Sequence, residues 1–240
     1  MTYPGGKAGA GVYQQIINQI PPHGVYIEPF LGGGAVLLNK KRAAASIALD
    51  VDAAVVSGWE LYLKLASPGL TVICGDAISF LQSYNWQGGE FVYADPPYLF
   101  DVRSSKRPIY TYEFGDTGQH EELLDLLMSL PCMVALSGYW SSLYESMLTG
   151  WRSISFNSQT RGGTTAREWL WMNYPEPVEL HDYSFLGGNF REREKITRQK
   201  RRWNARLLRM GQLQRYALFS SIAELKDTLG SGKIELIPRQ

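Results

Sequence analysis

Phe91-Val92-Tyr93-Ala94-Asp95-Pro96-Pro97-Tyr98 is an apolar run that stops at a carboxylate and two consecutive prolines. Its length and aromatic, β-branched content are those of a buried strand. The prolines cannot extend a hydrogen-bond ladder and hold the chain in a rigid, extended corner. The Asp95 side chain and the Pro96 carbonyl then become fixed acceptors at the carboxyl edge of a sheet, where open α/β sheets bind ligands. An exocyclic amine has two hydrogens to donate. If Asp95 takes one and the Pro96 carbonyl the other, the nitrogen lone pair leaves ring conjugation and can attack an electrophilic methyl group. Tyr98 offers an aromatic face to an extruded base, worth roughly 1–3 kcal/mol per base in single-strand binding. As an isolated tetrapeptide the motif is equally a proline turn that ends a strand.

On both sides of this run, apolar strand candidates alternate with helix-period segments. The strands are expected at Gly24–Glu28, Ser46–Asp50, Leu70–Cys74, Glu90–Ala94 and Cys132–Gly138. Helices are expected at Gly9–Gln19, Gly34–Arg42, Asp52–Ala66, Ala77–Ser83, Gln119–Leu130 and Trp140–Leu148. This rhythm argues for an α/β fold, a largely parallel sheet with helices on both faces. Arg152–Gln159 and Ala166–Tyr174, joined by a short turn-rich link, read as an antiparallel pair that closes the sheet. Leu99–Thr117 reads as a long surface excursion, with Arg103, Lys106 and Arg107 beside Tyr110 and Tyr112.

A second loop raises the value of the first. Glu28-Pro29-Phe30-Leu31-Gly32-Gly33-Gly34 follows the first strand and opens a helix, and its glycines allow a ligand close to the backbone. Leu37 stands where a dinucleotide fingerprint needs its third glycine, so that pattern is not met. Asp50 ends the second strand, where a carboxylate can accept from ribose hydroxyls. Asp76 ends the third, as a contact to an adenine or as an N-cap of the next helix. His23, His120 and His181 are scattered singly and no Cys/His cluster has metal-ligand spacing, so no metal is expected. Cys74 and Cys132 sit in strand-like segments and read as buried free thiols, in keeping with a reducing cytoplasm. No apolar run approaches the length of a membrane span, and the start of the chain lacks the apolar stretch of a signal peptide.

The net charge of +1 conceals an uneven distribution. Residues 187–240 carry 13 Lys+Arg against 5 Asp+Glu, a net of +8, whereas the preceding 186 residues hold 11 basic and 18 acidic ones, a net of −7. The expected organisation is a body over 1–186 and a basic helical segment over 187–240. One helix is expected from about Asn189 to Arg209, with a narrow apolar seam through Ile196, Trp203, Leu207 and Met210. A short second helix over Leu213–Phe219 precedes the capping box Ser221–Glu224. Such a basic segment points to a polyanion as partner, and its bland alternative is a solvated helix face.

Tyr3-Pro4-Gly5-Gly6-Lys7, the Glu28–Gly34 loop, Asp50, Gly75-Asp76 and Asp95-Pro96-Pro97-Tyr98 follow one another in this order. In that order and spacing the chain resembles the Dam-type (D12 class) DNA adenine-N6 methyltransferases, from Tyr3 to about Tyr174. The resemblance implies a Rossmann-like seven-stranded mixed sheet with an antiparallel last hairpin, S-adenosyl-L-methionine as cofactor and DNA as partner. It implies that Tyr3, Lys7, Glu28, Phe30, Gly32, Gly34, Asp50, Asp76 and Asp95 line the cofactor site, and that Asp95, Pro96 and Tyr98 carry the reaction. Arg167–Tyr174 resembles the closing strand of the family. One departure matters: only Ala77–Ala94 lies where the family usually carries a target-recognition insert, so a GATC-type target is not implied. DNA contacts are then expected from Arg103, Lys106, Arg107 and Arg161 in the body and from Arg198, Arg201 and Arg202 in the basic helix. The tail resembles those of small phage-type adenine methylases, which implies a bacteriophage or prophage origin; the family resemblance further implies a bacterial or infected-cell cytoplasm and a restriction-modification setting. Methylation of adenine in RNA, methylation of cytosine N4 in DNA, and an inactive nucleic-acid-binding regulator stay open as alternatives. Asp95 favours adenine, because cytosine enzymes favour Ser at the first motif position.

Overall fold

A computed structural model of the chain describes residues 6–9, 11–66, 69–103, 110–159 and 165–230. The chain divides into two compact units, Met1–Leu186 and Gly187–Gln240. In the first unit the elements are α1 (Val12–Ile17), β1 (Val25–Glu28), α2 (Ala35–Asn39), β2 (Ala45–Asp50), α3 (Ala53–Ala66), β3 (Leu70–Cys74), α4 (Ala77–Ser83) and β4 (Glu90–Ala94). They continue with α5 (Thr117–Ser129), β5 (Met133–Gly138), α6 (Ser142–Met147), β6 (Arg152–Gln159) and β7 (Thr165–Met172).

The seven strands form one mixed sheet in the order β3-β2-β1-β4-β5-β7-β6. The first five strands are mutually parallel and β7 runs antiparallel to both of its neighbours, so the closing hairpin is as expected. The order reverses between β1 and β4, which opens a crevice beyond Glu28 and Ala94. Both motifs picked out in the sequence end on that crevice.

Side-chain alternation along the central strands builds a core on each face. Val92 and Ala94 of β4, with Val134 and Leu136 of β5, pack with Leu123, Leu124 and Leu127 of α5. Phe91 and Tyr93, turned the other way, join Ile16 and Ile17 of α1 and Val36 of α2. All five residues of β4 are buried, as a central parallel strand covered on both faces requires.

Several boundaries move for local reasons. Helix α2 stops at Asn39, with Lys40 already extended at its C-cap, so the expected helix to Arg42 is cut short. Asp116 and Ser141 cap α5 and α6, each accepting a backbone N–H of the first turn. Cys74 is exposed rather than buried, because β3 is an edge strand; Cys132 is half-buried, and both thiols are free.

The second unit holds α7 (Phe190–Arg209), capped by Asn189, and α8 (Gln212–Gly230). The chain runs through Ser221 as helix, so the capping box there starts no new one. No residue of α7 is buried within the chain, and Trp203 of the apolar seam is 53% exposed.

The buried His120 should make the fold sensitive to acid. His120 donates from Nε2 to the Pro97 carbonyl (3.1 Å) and has its Nδ1 2.8 Å from the Tyr144 hydroxyl. Burial pushes it down to about 4. The folded state thus binds fewer protons than the unfolded state, whose histidines titrate near 6.5. The stability advantage of the wild type over His120→Gln should be full above pH 7 and shrink as pH falls toward 4, by on the order of 3 kcal/mol. Urea unfolding of both proteins from pH 7 to pH 4 measures it, and a constant difference would show that His120 does not titrate with folding.

Candidate active site

The crevice deepens into a cavity of about 270 Å³. Its floor is the turn between β1 and α2. Gly32 and Gly34 take positive φ values of 44° and 57°, and a Cβ on Gly34 would stand 2.4 Å from the Trp59 ring. Trp59 Nε1 also donates to the Gly32 carbonyl (3.2 Å), which fixes the turn from beneath. Asp50, at the end of β2, accepts from Gly32 N through Oδ2 (2.8 Å) and from Asp52 N through Oδ1 (2.9 Å). Burial raises its carboxyl, and these two backbone donors oppose the rise.

Glu28 and Phe30 line the same cavity as Gly32, Gly34, Asp50 and Asp76. Glu28 is 2% exposed, accepts the Tyr26 hydroxyl (2.8 Å), and is pushed up to about 8 by burial. Asp76 is exposed at the rim and caps α4 through Ser79 N (2.8 Å), so it combines both roles considered for it.

The wall opposite is the proline corner. Asp95 Oδ1 accepts from Lys7 Nζ and from Ser137 Oγ, each at 2.7 Å, and the Ser137 hydroxyl is 3.0 Å from that of Tyr93. Lys7 is 3% exposed, donates to the Tyr98 hydroxyl (2.5 Å), and lies 3.4 Å from Glu168 Oε2. Burial alone would lower the Lys7 ammonium, but Asp95 and Glu168 outweigh it and hold the pKa above the ordinary lysine value. Asp95 is raised by burial, against the opposing effect of Lys7. Tyr98 is tied by its hydroxyl, and its ring meets that of Tyr139 at 4.4 Å between centroids. Tyr110, Tyr112 and Phe114 complete the lining.

The structure therefore gathers Lys7, Glu28, Phe30, Gly32, Gly34, Asp50, Asp76, Asp95, Pro96 and Tyr98 around one cavity. Tyr3, Lys106, Arg107 and Arg161 lie outside the described residues. Arg103 is not at a nucleic-acid surface: it is buried, and its Nη1 pairs with Glu113 Oε2 at 2.7 Å. Arg198, Arg201 and Arg202 are exposed on α7, in the other unit. Ser137 and Glu168 were not singled out in the sequence. For Ser137 the signal there is a polar residue near the end of the otherwise apolar β5, the neighbour of β4; Glu168 is one polar residue among several in β7, one strand further out. Among the described residues no group of His, Cys, Asp and Glu is arranged for a metal, and no helix is long and apolar enough to cross a membrane.

Residues 3–64 match the model of the D12 class N6 adenine-specific DNA methyltransferase family. No curated protein sequence matches the chain. Among solved structures, a precorrin 8W decarboxylase from Methanobacterium thermoautotrophicum is similar at 15% identity and a TM-score of 0.47, over 72% of this chain and 94% of that one. The 23S rRNA methyltransferase ErmE is similar at 13% identity and a TM-score of 0.46, over 78% and 82%. A dimethyladenosine transferase from Plasmodium falciparum is similar at 14% identity and a TM-score of 0.43, over 67% and 60%.

Proposed function

We propose that the chain is an S-adenosylmethionine-dependent enzyme of the D12 class, which methylates the N6 amino group of adenine in DNA. One observation carries the reading. Asp95 has one oxygen held by Lys7 and Ser137, and beside it the Pro96 carbonyl receives no hydrogen bond among the described residues. Two acceptors at one corner, one charged and one neutral, suit an amine with two hydrogens.

The residues facing the corner fit the cofactor. Asp50 has its carboxylate oriented by two backbone donors, and the bare backbone of Gly32 and Gly33 leaves room for a ligand. S-adenosylmethionine, when bound, supplies an electrophilic methyl group. The chain's own part is to hold the amine. Oδ2 of Asp95 accepts one hydrogen, the Pro96 carbonyl accepts the other, and the nitrogen lone pair is localised toward the cavity. Lys7 keeps Oδ1 occupied, so the carboxylate presents one oxygen in one direction. A base inside a duplex cannot reach this corner, and extruding it costs a few kcal/mol. Tyr98, Tyr110 and Phe114 give the cavity aromatic walls against which a planar base is stabilised. The exposed arginines of α7 are read as phosphate contacts, which position DNA without reading its sequence.

Asp50→Ala should weaken S-adenosylmethionine binding at least roughly tenfold, the loss of a hydrogen bond to a charged group. Calorimetry decides this, and unchanged affinity would remove Asp50 from the cofactor site. The function itself is tested with methyl-labelled S-adenosylmethionine and matched DNA and RNA strands, followed by nucleoside analysis. N6-methyldeoxyadenosine is expected. Label confined to RNA, or found on cytosine N4, would assign one of the alternatives instead.

A further inference from the structure

The corner has three consecutive carbonyls, and two are gripped from different sides. His120, 0% exposed on α5, donates from Nε2 to the Pro97 carbonyl (3.1 Å). Arg103, 6% exposed, donates from Nε to the Tyr98 carbonyl (2.5 Å). Neither side chain lines the cavity. Each has its own support. The Tyr144 hydroxyl lies 2.8 Å from His120 Nδ1, and Ser141 caps the first turn of the helix that carries Tyr144. The Arg103 guanidinium lies over the rings of Phe100 (4.8 Å) and Tyr110 (5.2 Å) and pairs with Glu113, whose other oxygen accepts Tyr110 N (3.1 Å). Phe100 N donates to the Gly115 carbonyl (3.1 Å), so the two described legs of the excursion are joined a second time.

We propose that His120 and Arg103 are positioning residues that fix the Pro97 and Tyr98 carbonyls, respectively, and leave that of Pro96 as the one open carbonyl of the corner. Arg103 also ties that corner to Tyr110 and Glu113, which line the same cavity. This rests on the methyl-transfer reading above. Its physical basis is that acceptors work when they are already in place, and that a misplacement of about 1 Å can cost on the order of 10²-fold in rate. A planar guanidinium can serve a carbonyl and a carboxylate at once, which a lysine ammonium does not do in the same geometry.

The test measures single-turnover methyl transfer to adenine-containing DNA for wild type, Arg103→Ala, Arg103→Lys, His120→Leu and His120→Gln, all as full chains. S-adenosylmethionine affinity and amide exchange over Tyr98–Arg103 are measured on the same proteins. Arg103→Ala and His120→Leu should lose roughly 10- to 100-fold in rate. Cofactor affinity should stay near that of the wild type, with faster exchange over the corner. Arg103→Lys and His120→Gln, each keeping one donor, should recover part of the rate. If the alanine and leucine variants do not fold, these two conservative variants decide. Wild-type rates in the variants, or cofactor affinity falling in step with rate, would overturn the proposal. If the wild type transfers no methyl group to adenine in DNA, the functional reading fails, and the exchange data still judge the clamp: unchanged protection overturns it and faster exchange supports it.

Discussion

Asp95→Ala should lose at least roughly 10²- to 10³-fold in turnover on adenine-containing DNA, the scale of one preorganised contact to the reacting group. The alanine removes the acceptor for one amine hydrogen and leaves the Pro96 carbonyl to act alone. Asp95→Asn should do no better. Its oxygen can still face Lys7 Nζ and Ser137 Oγ, both at 2.7 Å from Asp95 Oδ1. Its NH₂ group would then point where Oδ2 stood and present hydrogens to hydrogens. Lys7 would keep Glu168, 3.4 Å away, as a counter-charge, so the folded state should survive. Thermal melting and calorimetry with S-adenosylmethionine provide the controls. Turnover by either variant within a few-fold of the wild type would mean that Asp95 does not touch the reacting amine.

The second large effect is expected far from the cavity in sequence. Arg198 is 70% exposed, and its ion pair with Glu194, at 3.7 Å and one turn away, is of the exposed kind that contributes little. Arg201 and Arg202 on the same helix are also exposed. If each meets a phosphate, the triple alanine variant should flatten the log–log salt dependence of DNA binding by about 2.7, at roughly 0.9 per contact. Counted down from 1 M salt, that slope corresponds to roughly 10³-fold weaker binding at 50 mM salt and 10²-fold at 200 mM. The loss should be the same on unrelated sequences, since phosphates carry no base identity. Filter binding over a salt series is sufficient. An unchanged slope would reduce this face of α7 to a solvated surface.

The sheet was legible because its signals are local. Leu70–Cys74 and Glu90–Ala94 are strands at the residues expected from their apolar runs, and Ala77–Ser83 is a helix at its expected bounds. The cavity's floor and corner were legible for the same reason, since glycines after β1 and prolines after β4 do their work within a few residues. What stayed hidden depends on partners distant in sequence. Ser137 and Glu168 reach Asp95 and Lys7 only because β5 lies beside β4 and β7 beside β5. Arg103 was misread as a surface cation, because composition in a loop cannot reveal that Glu113 waits across it. Cys74 was misjudged similarly: its strand is apolar enough for a core, but the strand order puts it at an edge.

Lys7 comes from the start of the chain, and Glu168, its more distant partner, from the last strand to be made. The charged knot that holds Asp95 therefore joins the two ends of the sheet-forming sequence. A ribosome must deliver β7 before the knot can close, and contacts of such sequence separation are among the slowest to form. A chain truncated before β7 would have the glycine turn and the proline corner, but Lys7 would lack one of its two carboxylates. Burying that ammonium underpaired is costly, which works against compaction of partial chains around an unfinished corner. The same knot thus makes an ordered corner a sign that the last strand of the sheet is in place.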